Sequence, residues 1–322
     1  MKNKQILITG GNGFIGSSIV KELKVNNQIT IIDKSERIQS NKEIKIFTGN
    51  VADNAFMLDT LKNLSKNPPD YIFHFGAPSS NIQYNQNPTQ CMNETVSGFI
   101  NVMNMAKNLG CKKVIFPSSS TIYHPNSKRE GSKETDTPKP TNIYGIGKLT
   151  TEILANYYRD IFGIESIGFR IFAGFGDGEE NKGSIASPVS LFLFDMLKGK
   201  APIIWGDGSQ KRDFVYIKDI KNILTLSAQL SSKERIFNLG SGKTTSFREL
   251  IVLLNNNLME FGFIRKEISP KFIDKPISYI EETLADTSLF EKTFSYKTTY
   301  LEDALKTYLT YIQDNDVIKK IK

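Results

Sequence analysis

The run QILITGGNGFIGSSIV, residues 5–20, constrains the fold more than any other stretch of the chain. Residues 5–10 form a short apolar run closed by glycine, the pattern of a buried strand. Residues 14–24 place Ile15, Ile19, Val20 and Leu23 along one side of a helix. Gly10, Gly13 and Gly16 lie at the junction: the first permits a tight turn, the second lets backbone approach a pyrophosphate, and the third lets the helix pack closely on the strand. The helix N-terminus then faces an anion. Gly11 also brings the run into the G-x-G-x-x-G pattern. Asp33 ends the next strand, 20 residues after Gly13, where a carboxylate accepts hydrogen bonds from adenosine ribose hydroxyls. It favours NAD, because it repels the 2′-phosphate of NADP. Lys34 and Arg37 just beyond act in the opposite sense, so NADP is not excluded.

The first half keeps this rhythm. Strands are expected at 28–33, 44–49, 70–77, 112–120 and 165–172, and helices at 54–64, 89–109 and 143–162, with a polar loop running from 77 to about Pro88. Strands separated by helices imply a parallel sheet with right-handed crossovers, hence an α/β, Rossmann-type doubly wound fold. After Ala173 the rhythm breaks. A Gly-rich loop (174–183) precedes an apolar helix (185–198), the turn 205–210, a strand (213–217), a helix (218–230), a strand (235–240), and helices at 246–260 and 301–313. The expected organisation is a dinucleotide-binding domain over 1–172, with 213–240 returning to it. A smaller, interleaved C-terminal substrate lobe is expected from 173–212 and 241–322.

Composition removes several classes of function. With 39% hydrophobic residues a large core can be buried, yet no apolar run reaches the length of a membrane span. The start MKNKQILITG enters a strand and a glycine turn directly, unlike a signal peptide. Cys91 and Cys111 show no paired spacing, which points to a reduced, cytoplasmic setting. His74 and His124 are the only histidines, so a histidine-rich metal site is excluded and no metal is expected. The net charge of +7 is spread along the chain without a compact basic block, which argues against a nucleic-acid partner.

Tyr144 and Lys148 are four residues apart near the start of a helix and share a face. A cationic lysine near a phenol favours phenolate, and such a tyrosine takes a proton from a substrate hydroxyl as hydride leaves. Lys148 is also placed to hold the nicotinamide ribose. Ser119 ends a parallel strand, where such sheets put their catalytic groups.

With these residues in place, the chain resembles the extended short-chain dehydrogenase/reductases that act on sugar nucleotides, over nearly its whole length. TGGNGFIG (9–16), HFGA (74–77), SSSTIY (118–123), YGIGK (144–148) and WGDGSQKRDFVYIKDI (205–220) carry the resemblance. It implies a cofactor site that adds Phe14, Ile15, Asn50, Val51, Phe75, Gly76, Ala77, Asn93 and Phe172 to the residues above. It also implies that Arg212 grips the diphosphate of a nucleotide-sugar substrate, a task suited to a guanidinium fork. Asn50 replaces the aspartate common near the adenine, and Ala173 replaces a common asparagine beside the substrate. Ser120 and Thr121 stand where 4,6-dehydratases have an Asp-Glu pair, which argues against dehydration.

A narrower similarity to ADP-glycero-manno-heptose 6-epimerases lies in GFRIFAGFGDGEENKGSIAS (168–187). It assigns a second catalytic lysine to Lys182 and a substrate contact to Ser184; YIEETLAD (279–286) aligns with a late motif of the same enzymes and assigns a further contact to Tyr279, and GAPSS (76–80) adds Ser79 and Ser80. The implied reaction oxidises a sugar carbinol to a ketone and returns hydride to the opposite face, regenerating the cofactor. Two proton-transfer groups, Tyr144 and Lys182, suit a heptose side-chain carbon, which is the favoured reading. Tyr144 serving both faces suits C4 of a UDP-hexose, and a net oxidoreductase using the same first half is a further alternative. Apolar residues on the 89–109 and 143–162 helices, in excess of what one sheet face needs, point to a homodimer.

Overall fold

The computed structural model describes every residue except Glu36, Gln39, 125–129, 276–279 and Lys322. Its largest element is a seven-stranded sheet. Strands β1 (Gln5–Thr9), β2 (Gln28–Asp33), β3 (Ile44–Thr48), β4 (Tyr71–His74), β5 (Lys113–Ser119) and β6 (Ser166–Ile171) pair in parallel in the order β3-β2-β1-β4-β5-β6. Ile236–Leu239 completes the sheet beside β6. The order reverses between β1 and β4, and the space beyond the carboxyl ends of these two strands is where such sheets receive ligands. The observed architecture is the doubly wound α/β fold that the alternation of elements implies.

The helices of this half are α1 (Phe14–Leu23), α2 (Asn54–Leu64), α3 (Asn81–Gln86), α4 (Pro88–Leu109) and α5 (Ile143–Phe162). Ile6, Leu7 and Ile8 are all buried, as expected for a strand covered on both faces. Leu7, Ile72, Phe99, Val102, Val114 and Phe116 belong to one core, and each such side chain contributes about 1.5–3 kcal/mol on burial. α3 replaces the polar loop expected at this position. Its sequence NIQYNQ has no apolar period, but Ser80 caps it by accepting from Gln83 N, and Tyr84 anchors it in the core.

The chain divides into two compact units. One holds Met1–His124, Asp136–Ile171 and Lys221–Phe237; the other holds Pro125–Thr135, Phe172–Ile220 and Asn238–Lys322. The second unit is built from helices such as Pro188–Leu197, Phe247–Glu260 and Leu301–Asp314. It also holds short strand pairs, among them Ala173–Phe175 with Phe214–Tyr216 and Lys211–Arg212 with Thr245–Ser246. The helix expected from 185 begins at Pro188, capped by Ser187 and preceded by two short 3-10 turns. Asp213 is fully buried here, and its carboxylate gathers Ser241 N, Ser241 Oγ, Gly242 N and Ala285 N. The characteristic run 205–220 thus includes a structural clamp. Among the described residues no helix is long and apolar enough to cross a membrane, and none group as a metal site.

Candidate active site

Gly10 sits in the left-handed region at φ +69°, and a Cβ there would meet Phe75 C and O at 2.6 Å. A Cβ on Gly16 would lie 2.1 Å from Gly10 O, so α1 can seat against β1 only with glycine at this position. Gly13 is the N-cap of α1 and provides no side-chain cap; the first turn holds no acidic residue. No side chain of that turn brings a negative charge that would compete with an anion at the helix N-terminus. Gly10, Gly13, Asp33, Lys34, Asn50 and Val51 line one cavity, and Phe75, Gly76 and Ala77 at the end of β4 form its other wall. Phe14, Ile15 and Gly16 lie in the first turn of α1, and Asn93 lies exposed on α4, accepting from Ser97 Oγ. Phe172 is buried in the second unit.

Asp33 fixes its own loop. Its Oδ2 accepts from Asn12 N at 2.9 Å, and its Oδ1 accepts from Ser35 N and Oγ, each at 3.0 Å. Carboxylate oxygens carry spare lone pairs, so the ribose hydroxyls of a dinucleotide still find an acceptor here. The glycine cradle, the uncapped helix and this carboxylate fit an adenine dinucleotide.

Thr9 Oγ1 links the cradle to the catalytic strand ends, accepting from Gly76 N and hydrogen-bonding His74 Nδ1 at 2.7 Å. Burial, aided by the Lys148 charge, pushes the His74 imidazole down to about 3, so this ring is neutral. Asn142 caps α5 by accepting from Gly145 N at 2.8 Å. Gly145 and Gly147, the glycines of YGIGK, allow close contact: a Cβ would stand 2.5 Å from Thr121 O at the first and 3.1 Å from Met92 Sδ at the second.

Helix α5 thereby brings Tyr144 to Ser119, with which it hydrogen-bonds. Ser119 Oγ also accepts from Thr121 N and Oγ1. Lys148 is buried, with Nζ 5.8 Å from the Tyr144 ring centroid. Burial lowers its ammonium to about 8. Burial also raises the Tyr144 phenol above its ordinary value, and the Ser119 hydrogen bond opposes this. Phenolate formation is thus not favoured by the protein alone, which differs from the expectation based on a nearby cation. The cause is desolvation of both groups. The tyrosine ring packs 5.3 Å from that of buried Tyr84, a neighbour hidden in the stretch expected to be a loop.

Behind this set lies a buried cluster that sequence reasoning missed. Glu152, two turns after Tyr144, accepts from Ser118 Oγ and pairs with Arg170 Nη2 at 2.8 Å; Arg170 Nη1 donates to Tyr123 OH at 2.8 Å. Only the i+4 spacing of Glu152 from Lys148 hinted at a shared face. Glu94 was missed as well. It lines the cofactor cavity and pairs with Lys34 at 2.8 Å.

The expected substrate contacts have these surroundings. Ser79 is exposed and gives its N–H to Gln83 Oε1; Ser80 acts as the α3 cap. Ser184 is exposed in a 3-10 turn, and Tyr279 lies outside the described residues. Arg212 donates from Nη2 to Ile280 O at 2.7 Å and from Nη1 to Lys211 O and Glu281 O, so its fork is held by backbone carbonyls. Lys182 Nζ donates to Glu179 Oε1 at 3.0 Å. Glu179 is fully buried and also accepts from Ser187 N, Ser187 Oγ and Ser190 Oγ.

Comparison with known proteins agrees with this geometry. Residues 6–240 match the NAD dependent epimerase/dehydratase family. A Methanocaldococcus jannaschii protein named "Putative UDP-glucose 4-epimerase" is 30% identical over 83% of this chain and 85% of its own. The UDP-N-acetylglucosamine 4-epimerase of Methanobrevibacter ruminantium, solved with UDP-N-acetylmuramic acid, superposes with a TM-score of 0.87 at 28% identity, covering 98% of this chain and 100% of its own. Thermotoga maritima UDP-glucose 4-epimerase, solved with UDP-glucose, gives 0.87 at 25% identity over 97% and 99%.

Proposed function

The chain belongs to the NAD dependent epimerase/dehydratase family and is an NAD-dependent nucleotide-sugar epimerase, and from that premise we propose that it inverts C4 of a UDP-hexose. The observation that carries the C4 reading is the engagement of Lys182 by buried Glu179. A lysine neutralising a buried carboxylate is a poor second acid/base, which leaves Tyr144 to serve both faces of the sugar. The heptose resemblance at 168–187 has no counterpart among the relatives above, whose names all refer to UDP-sugars.

Bound NAD supplies the hydride acceptor and donor. Tyr144 Oη takes the C4 hydroxyl proton and returns it after the ketosugar has presented its other face. Ser119 orients the phenol through their hydrogen bond, and the Lys148 ammonium stabilises the phenolate as it forms. Arg212 grips the UDP diphosphate with a fork already aimed by the carbonyls of 280 and 281.

The test is to incubate the protein with UDP-glucose, UDP-galactose, UDP-N-acetylglucosamine and an ADP-heptose, following the sugars by NMR. A UDP-hexose should equilibrate with its C4 epimer without net NADH, and Tyr144→Phe should turn over ~100-fold more slowly or worse. Inversion of the ADP-heptose alone would defeat the C4 reading.

We also propose a homodimer through α5. Ile146, Ile153, Tyr157 and Ile161 are 46, 60, 51 and 61% exposed along one helix face, an apolar stripe that a twofold partner would cover. Light scattering that finds only monomer at micromolar concentration would exclude it.

A further inference from the structure

Four charged side chains line the cofactor cavity, and three of them, Asp33, Lys34 and Glu94, do not act independently. Asp33 is committed to Asn12 and Ser35, as described above. Lys34, the next residue, turns away from it and reaches α4, where Nζ contacts Glu94 Oε2 at 2.8 Å and Oε1 at 3.0 Å. Glu94 is 4% exposed in the second turn of a long helix, and a buried carboxylate left unpaired is costly. It is therefore built to be paired: Gln90 Nε2 donates to it at 3.1 Å and Asn50 Nδ2 at 3.4 Å. Burial alone would raise the Glu94 carboxyl, but the Lys34 hydrogen bond and charge, with the two amides, hold it below its usual value.

We propose that Glu94 determines cofactor specificity by pairing with Lys34, so that this cation beside Asp33 is unavailable to a 2′-phosphate. This rests on the reading of the cavity as the NAD site. NADP differs from NAD only by that phosphate, which carries close to two negative charges and needs a cation to compensate its desolvation. Lys34 stands next to the ribose-binding carboxylate and is the obvious candidate. Its both-oxygen contact with Glu94 neutralises it, and the second carboxylate adds repulsion of its own. The Lys34–Glu94 bridge also links the end of β2 to α4 along the cavity lining, where Asn50 joins it through Glu94, so one pair sets the local charge. Arg37 also lines this cavity, and its cation remains as a common background in every variant compared.

The experiment is calorimetric titration of the full chain with NAD+, NADP+, 5′-AMP and 2′,5′-ADP; the two fragments isolate the ribose phosphate. Wild type should bind 5′-AMP in preference to 2′,5′-ADP. Glu94→Gln keeps the size and an amide in the helix but frees Lys34. It should tighten NADP+ and 2′,5′-ADP by ~5- to 10-fold, leaving NAD+ and 5′-AMP within ~2-fold. Adding Lys34→Met should abolish that gain. A merely structural Glu94 would weaken all four ligands alike when replaced, and that result overturns the proposal. So does a gain in NADP+ binding that survives Lys34→Met, or a wild type that already prefers 2′,5′-ADP, a measurement that needs no variant. A wild type that binds neither NAD+ nor 5′-AMP defeats the cofactor reading itself.

Discussion

Lys148 and Lys182 were both assigned to catalysis on sequence grounds, and the structure treats them in opposite ways. Lys148 is 4% exposed, with no carboxylate in ion-pair reach among the described residues; its ammonium is pushed down to about 8 by burial alone. Lys182 has a side chain 21% exposed and lies 3.0 Å from a fully buried carboxylate. One lysine is a charge held at a cost to stability; the other relieves a cost created by its neighbour. A fold tolerates an uncompensated buried cation where chemistry uses it, whereas a compensated one is accounted for by structure. The difference lies in the environment of each side chain and not in the residue type.

The sharpest way to break this comparison is Lys148→Met. Between pH 8 and 10.5 the unfolded chain holds a proton on this residue that the native protein has released, so stability rises with pH across that window. Below pH 8 the full penalty is present, about 3 kcal/mol for a shift of this size. Removing the charge should therefore stabilise the cofactor-free protein by roughly that amount at pH 7, with the advantage fading toward pH 10.5. Turnover should fall ~100-fold or more, because the phenolate loses its cation. Denaturant melts at pH 7 and 10 together with the UDP-hexose assay check both. A variant no more stable than wild type, or one that keeps its activity, removes Lys148 from this role.

How much of this was legible beforehand follows from the range of each signal. Gly10, Gly16 and Asp33 announce themselves because a strand, a turn and a helix start are local events with strict steric demands. That the main sheet is parallel with right-handed crossovers follows from alternation and handedness, whereas its strand order does not. Glu94 was not legible: within α4 it reads as one more polar position, and only the adjacency of the β2 end, Asn50 and α4 makes it a wall of the cofactor cavity. Glu179 was not legible for the same reason. Its Gly/Glu-rich surroundings suggest a solvated loop, yet three donors from 187 and 190 bury it. Helix α3 has no period to detect and depends on a serine cap and one buried tyrosine. Strands of two or three residues, such as Lys211–Arg212, are too short for any alternation to show. The direction of the Tyr144 shift was missed because proximity to Lys148 is readable from spacing, whereas desolvation is not.

The smallest kinetic effect should come from Lys182→Met, and its sign in stability should be opposite to that of Lys148→Met. Glu179 would keep the Ser187 and Ser190 hydrogen bonds but lose its cation. Stripping one partner from a fully buried pair costs about 3–5 kcal/mol. Lys182 is partly exposed and Glu179 stays hydrogen-bonded, so a loss of about 1–2 kcal/mol is expected. Glu179 also fixes Ser187, the cap of the Pro188–Leu197 helix, so the damage should appear as loosened protection of that helix in hydrogen exchange. Turnover of a UDP-hexose at saturation should stay within ~3-fold of wild type, as for most changes remote from the reacting atoms. If turnover instead collapses as far as in Tyr144→Phe while the melt is unchanged, Lys182 is a second acid/base, the pairing with Glu179 is incidental, and the two lysines are alike after all. That outcome with an ADP-heptose as the only substrate would restore inversion at a heptose side-chain carbon. A destabilised Lys182→Met that still epimerises a UDP-hexose leaves Tyr144 working alone.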